Sequence, residues 1–275
     1  MTRRALVLGG GGVTGVAWEI GMLTGLAAAG VDLSGADVVI GTSAGSVVGA
    51  LVAGGLDPQT MYAGQLAPPV AEIPARLALP TILRWAWVAA GRRDEQRARA
   101  RIGAMALAAQ TVPEADRRKV IAARLNDADW PERRLLITAV DARTGEFVVF
   151  DREHGAGLVD AVGASCAVPG VWPPVTIGDR RYVDGGVRSP VNADLAAGYD
   201  RVVILAPVTA SFGPSTRIGR QMDGLGARVV LVRPDRAAKR AFGRNVLDPA
   251  RRAPAARAGH AQADREAAGV AAVWS

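Results

Sequence analysis

The sequence predicts an α/β fold in which a mostly parallel sheet is covered by helices on both faces, and three observations lead there. Apolar runs recur at residues 5–9, 38–40, 135–140, 147–150, 202–206 and 229–232; continuous runs, unlike alternating ones, suit strands buried on both faces. Helix-like stretches separate most of these runs, which is the alternation of a doubly covered sheet. Thirty-three glycines stand against four Phe and three Tyr, a balance rich in permissive loops and poor in the aromatic residues that long β-sandwiches use. With 275 residues, 49% of them hydrophobic, the chain can bury a full core, and one domain over residues 1–275 is the simplest fit.

The first element is read as a strand. The start Met1-Thr2-Arg3-Arg4 looks like a twin-arginine or secretory leader, but its apolar run breaks after Leu8 into glycines and shows no small-residue cleavage site. The run leads into Gly9-Gly10-Gly11-Gly12-Val13-Thr14-Gly15, after which Val16, Ile20, Leu23 and Leu26 keep helical spacing. A glycine loop opening a helix turns successive amide protons outward at the positive end of the helix dipole, so it cradles an anion, whether phosphate or oxyanion.

Gly10, Gly12 and Gly15 satisfy the dinucleotide-binding spacing, which expects an acid at the end of the second strand. That strand instead runs into Gly41-Thr42-Ser43, and Asp32 and Asp37 both precede it. The nucleotide-triphosphate loop fails too, because Val16 and Ala17 stand where a lysine and a hydroxyl belong.

Residues 38–56 carry no charge and are long enough to span a bilayer. Five glycines and two serines within them fit a buried strand, a tight turn and a buried helix better. Residues 57–134 then read as helices alone, with Pro68, Pro69, Pro74, Pro80, Trp85 and Trp87, and are expected to form a cap insert over the sheet edge. The Ala- and Arg-rich residues 250–275 suggest a terminal helix that packs weakly. A lone cysteine, Cys166, excludes an intramolecular disulfide, suits a reducing compartment, and reads as a small buried apolar residue.

Chemistry concentrates at two points. Gly41-Thr42-Ser43-Ala44-Gly45, between a buried strand and the apolar helix that opens with Val47 and Val48, has the setting of a nucleophile elbow, where bulk at Gly41 or Gly45 would clash. A serine needs a base, ordinarily histidine. The two histidines are poorly placed, His154 in a polar turn and His260 in the Ala-rich tail. Asp184, in Tyr182-Val183-Asp184-Gly185-Gly186-Val187, is delivered by a short apolar strand to a flexible corner. Partial burial would raise its basicity above that of an ordinary carboxylate.

With these residues in place the chain resembles the patatin-like phospholipases, which carry a glycine-rich oxyanion loop, a Gly-x-Ser-x-Gly elbow and an Asp-Gly-Gly carboxylate in that order. Ala164-Ser165-Cys166-Ala167-Val168-Pro169 is similar to the stretch such proteins carry before the aspartate. The resemblance covers about residues 5–210 and implies a three-layer α/β/α sandwich, with lipid acyl hydrolysis by Ser43 and Asp184. It further implies oxyanion donors at Gly10, Gly11 and Gly12, motif glycines at Gly15, Gly41, Gly45, Gly185 and Gly186, and no metal or organic cofactor. One departure is Thr14, where the family usually has arginine or lysine, so a positive charge beside the oxyanion site is missing. That leaves room for an alternative, a weak or inactive lipid-binding protein on the same fold.

The net charge of +7 is concentrated between residues 217 and 257, where eleven Arg or Lys face Asp223, Asp235 and Asp248. Without zinc-knuckle spacing or aromatic-basic interleaving, nucleic acid is a poor partner. A lipid or acyl ester and an anionic membrane surface are the partners expected, with a cytoplasmic location peripheral to the inner membrane. At that surface Ile82, Leu83, Arg84, Trp85 and Trp87 would form the contact, tryptophan suiting the lipid boundary.

Overall fold

The computed structural model describes residues 2–68, 72–76, 85, 88, 94–210 and 216–275. Eight strands form one mixed sheet: β1 (Arg4–Leu8), β2 (Val38–Thr42), β3 (Leu135–Asp141), β4 (Phe147–Phe150), β5 (Val175–Ile177), β6 (Arg180–Asp184), β7 (Arg201–Leu205) and β8 (Arg228–Val232). The order is β5-β6-β3-β2-β1-β7-β8, with β4 also on β3. β3, β2, β1, β7 and β8 are mutually parallel, while β4, β5 and β6 are antiparallel additions. The six sequence-predicted strand positions are all occupied. The short strand expected before Asp184 is present as β6, and the added feature is β5, three residues long and without an apolar run, which completes a hairpin with it.

Strand side chains alternate between two cores. Leu6 and Leu8 face the layer of α1 (Gly12–Ala28), α2 (Ala44–Ala53) and the terminal helix α9 (Arg252–Trp274). Ala5, Val7, Ile40 and Val202 face the opposite layer, built from a 3-10 turn at Ala193–Ala196 and α7 (Ile218–Asp223). The result is a three-layer α/β/α sandwich. Of the expected cap, α3 (Pro58–Leu66) packs on α1 and α9, and α5 (Glu114–Leu125) on α2 and α6 (Leu158–Ser165). α4 (Glu95–Leu107), together with Trp85 and Val88, covers Val140 and Val183 of β3 and β6. α8 (Arg236–Phe242) packs on the terminal helix, with Ala238 and Phe242 in the same core as Leu6 and Leu8.

Weak packing of the terminal helix is overturned. Ala255, Ala256, Gly259, Ala263, Val270 and Trp274 are buried, and the α1 and α9 backbones nearly touch. A Cβ at Gly21 would stand 2.1 Å from the Ala256 carbonyl oxygen, and one at Gly259 would stand 2.3 Å from that of Trp18. Trp18 Nε1 donates to Gln262 Oε1 at 3.2 Å across the same interface. Alanine-rich composition suggests little bulk to bury, but small residues allow close approach of backbones, which brings many atoms into van der Waals contact.

This interface yields a prediction. Gly21→Ala and Gly259→Ala should each lower unfolding stability by about 1–3 kcal/mol through overpacking. Urea midpoints measure the effect, and unchanged midpoints would contradict the packing.

Candidate active site

β3 is the floor of the site, and its register explains why two distant motifs meet. β2 pairs with β3 up to Thr42 opposite Thr138. β4 pairs with residues 137–140 of β3, so it occupies the opposite edge. β6 pairs with Ala139, Val140 and Asp141, ending at Asp184 opposite Ala139. Because β4 already holds those residues on its own edge, β6 shares the edge used by β2. The carboxyl ends of β2 and β6 therefore abut between Thr138 and Ala139, bringing Ser43 and Asp184 together. Gly185 continues the chain across Thr138, where a Cβ would lie 2.3 Å from Thr138 Oγ1.

Ser43 sits on a sharp turn with φ 52° and ψ −114°, a left-handed backbone region costly for a residue with a side chain. The turn needs small neighbours: a Cβ at Gly41 would meet Gly45 O at 2.6 Å, and one at Gly45 would meet Leu8 O at 2.0 Å. The last residue of α6 and the segment after it staple both residues. Ser165 Oγ accepts from the Ser43 amide at 2.8 Å, the Cys166 thiol donates to the Ser43 carbonyl at 3.3 Å, and the Ala167 carbonyl accepts from the Asp184 amide at 3.0 Å. Cys166 is buried as expected, but as a hydrogen-bond donor and not merely as an apolar residue.

The Ser43 hydroxyl lies beside the Asp184 carboxylate and favours its charged form, and the two residues are only 7% and 5% exposed. Burial pushes the Asp184 pKa up to about 7, while the nearby Ser43 hydroxyl and the bond from the Gly186 amide hold it down. The Gly186 amide donates to Asp184 Oδ1 at 2.7 Å.

The glycine loop, residues 9–12, lies beside this pair, a Cβ at Gly10 falling 3.5 Å from Ser43 Cβ. Its amides differ in availability. The Gly10 amide is spent on the Pro190 carbonyl at 2.7 Å, whereas those of Gly11 and Gly12 have no acceptor among the described residues. Gly10 therefore shapes the loop, and the free donors are Gly11 and Gly12. Gly12 has φ +62°, and a Cβ at Gly11 would meet Pro207 Cβ at 2.5 Å. Gly15 packs against Ala44 and Pro207. Thr14, fully buried, gives its amide to the Val246 carbonyl at 3.1 Å.

Ser43, Asp184 and the three loop glycines open onto a cavity of about 400 Å³ whose further walls include Trp85, Ile102, Val168, Val187, Val208 and Leu247. Trp85, expected at a lipid surface, is 7% exposed and lines this cavity instead, because α4 and the β6 end bury it. Ile82, Leu83, Arg84 and Trp87 lie outside the described residues. Neither histidine reaches the site: His154 packs edge-on against Phe150 and His260 against Tyr62.

Asn192 was not singled out by the sequence. Held at φ 50°, its amide donates to Thr42 Oγ1 at 3.0 Å, to Thr138 Oγ1 at 3.2 Å and to the Ser189 carbonyl at 3.0 Å. It ties the end of β2 and the middle of β3 to the turn after Asp184. The two threonines, polar residues inside apolar runs, were the available signal.

A family model described as patatin-like phospholipase matches residues 6–197, and the chain belongs to that family; it is a lipid acyl hydrolase. Among solved structures the chain is similar to VipD from Legionella pneumophila, at 13% identity and TM-score 0.48, covering 98% of this chain and 67% of that one. It is also similar to the type III effector ExoU, at 19% identity and TM-score 0.43, covering 97% of this chain and 53% of that one, so it spans about half the effector's length. No curated protein matches it.

The raised Asp184 pKa has a thermodynamic consequence. The folded chain holds this proton up to about pH 7, whereas the unfolded chain releases it near the ordinary aspartate value. The stabilisation is thus complete below the unfolded pKa and is lost as pH rises through 7, at most about 1.4 kcal/mol per pH unit. Asp184→Asn, permanently neutral, should therefore gain stability over wild type between pH 5 and pH 9. Paired melting curves at the two pH values read this, and a constant difference would contradict it.

Proposed function

We propose that the chain hydrolyses lipid acyl esters by a Ser43–Asp184 dyad without histidine. The observation that carries this reading is the meeting of the two buried side chains at the abutting ends of β2 and β6, on one apolar cavity and beside two free amides. A carboxyl group with a pKa of about 7 is about half ionised at neutral pH and matched to proton transfer there.

Asp184 takes the hydroxyl proton as Ser43 Oγ bonds to the ester carbonyl carbon. The carbonyl electrons move to oxygen, and the oxyanion is held by the Gly11 and Gly12 amides at the start of α1, whose dipole favours negative charge. Collapse breaks the bond to the alcohol, which leaves with the proton from Asp184. Water, deprotonated by the same carboxylate, then attacks the acyl-Ser43 ester. The acid is released, and Ser43 recovers its proton. Gly10 supports the loop, and the cavity takes the acyl chain.

Among the described residues no helix is long and apolar enough to cross a membrane. The arginine-rich surface between residues 217 and 257 is mostly exposed, and its charge supports peripheral contact with anionic lipid. The Trp85 environment supports an acyl-chain role for that residue. Among the described residues no group of three or more His, Cys, Asp or Glu side chains gathers as metal ligands.

On an acyl-ester panel, Ser43→Ala and Asp184→Asn should each lower kcat by at least about 10³-fold, since nucleophile and base act as one unit. His154→Ala should keep most activity, EDTA should not remove it, and wild-type kcat should rise with pH through about 7. Gly11→Ala should lower kcat more than it raises KM, because the loop binds charge present only in the transition state. A dead His154 variant beside an active Asp184 variant would overturn the dyad.

A further inference from the structure

Thr14 brings no positive charge to the glycine loop, but a cation on α5 lines a space that Gly12 and Ser43 also line. α5 carries Arg117, 6% exposed, with its guanidinium carbon 3.9 Å from the centre of the Trp172 ring. Its Nε and Nη1 are buried and have no hydrogen-bond acceptor among the described residues. Stacking on an aromatic face recovers part of the desolvation cost, but an unpaired buried guanidinium remains destabilising. Neighbouring Arg124 is already satisfied, donating to both Glu72 oxygens at 3.1 and 2.5 Å. Burial, then repulsion from Arg124, lowers the Arg117 pKa to about 10, which still leaves it charged at neutral pH.

This charge faces a neck of about 20 Å³ that also holds Ser43, Gly12 and Trp172. The neck shares Ser43, Gly12, Val168 and Leu247 with the acyl cavity. It shares Val13, Val16, Val47 and Arg124 with a second chamber of about 440 Å³ beside α3. Ser43 thus stands between two chambers. An ester whose acyl chain fills the first turns its alcohol side toward Arg117.

We propose that Arg117 is the specificity-determining residue that receives a phosphate group carried on the alcohol side of the scissile ester, with the rest of the leaving group in the second chamber. The proposal rests on Ser43 being the nucleophile. At its present size the neck holds about one water, so the phosphate displaces water and moves the guanidinium toward the second chamber.

The test compares a phosphatidic acid with the diacylglycerol of the same chains, both in neutral detergent micelles, using wild type, Arg117→Gln and Arg117→Lys. Wild type should favour the phosphate ester in kcat/KM, and Arg117→Gln should reduce that preference about ten- to hundredfold, the range of charge-assisted hydrogen bonds. Lysine should retain part of it. Equal loss on both substrates, or no preference in wild type, would overturn the proposal. Calorimetry with glycerol 3-phosphate needs no turnover: binding by wild type that is lost in Arg117→Gln supports the site even if no ester is cleaved, and absence of binding overturns it. Inorganic phosphate binding as tightly, without any preference between the two lipids, would make this a free-anion site and overturn the substrate assignment. Arg117→Met should melt at or above the wild-type temperature, because it removes an unpaired charge and keeps the Trp172 contact; a lower melting temperature would mark a structural role instead.

Discussion

Everything at the proposed site depends on two strand ends meeting on one edge of β3. β2 arrives parallel and β6 antiparallel, and they stop opposite Thr138 and Ala139. That collision places a strained serine against a buried carboxylate, which neither strand could do alone. Asn192, bridging Thr42 and Thr138, holds the junction, and the segment from Ser165 to Ala167 fixes both backbones from the side. The proposed base owes its strength to where it sits. Withdrawn from water, its carboxylate is less stable and therefore more basic.

The same crowding dictates where side chains are forbidden. Gly41, Gly45 and Gly185 each bring backbone against backbone at distances no Cβ could occupy. Gly11 and Gly12 are crowded as well, by Pro207 and Val246, but they also keep their amides uncommitted at a helix start. Packing thus constrains all five glycines, and two of them in addition leave donors beside the cavity. The α1–α9 interface follows the packing rule on a larger scale, anchoring the helix that begins at the loop.

Much of the architecture was legible in the sequence because buried parallel strands are written as continuous apolar runs. Ser43 and Asp184 could be singled out because an elbow and an Asp-Gly-Gly corner impose small residues at fixed offsets. Other features leave little trace. The β5 strand, Val175–Ile177, is too short for periodicity, and nothing in a linear pattern says that β6 shares an edge with β2. The choice between Gly10 and Gly11 as donor is made by Pro190, far away in sequence. Trp85 beside a charged residue reads as a surface tryptophan, and only the tertiary fold turns it onto the cavity. Composition likewise undervalued α9, because counting apolar bulk overlooks how closely alanine and glycine let helices approach. Arg117 is one of several charged residues on α5, and its isolation appears only when the surroundings of its guanidinium are known.

The most direct test of the central claim is peptide mapping by mass spectrometry after reaction with a fluorophosphonate, which labels only an activated serine. The account predicts one adduct, on Ser43, in wild type, and a greatly slowed reaction in Asp184→Asn at pH 8. An adduct on another serine, or unimpeded labelling of Ser43 without the Asp184 carboxylate, would contradict it.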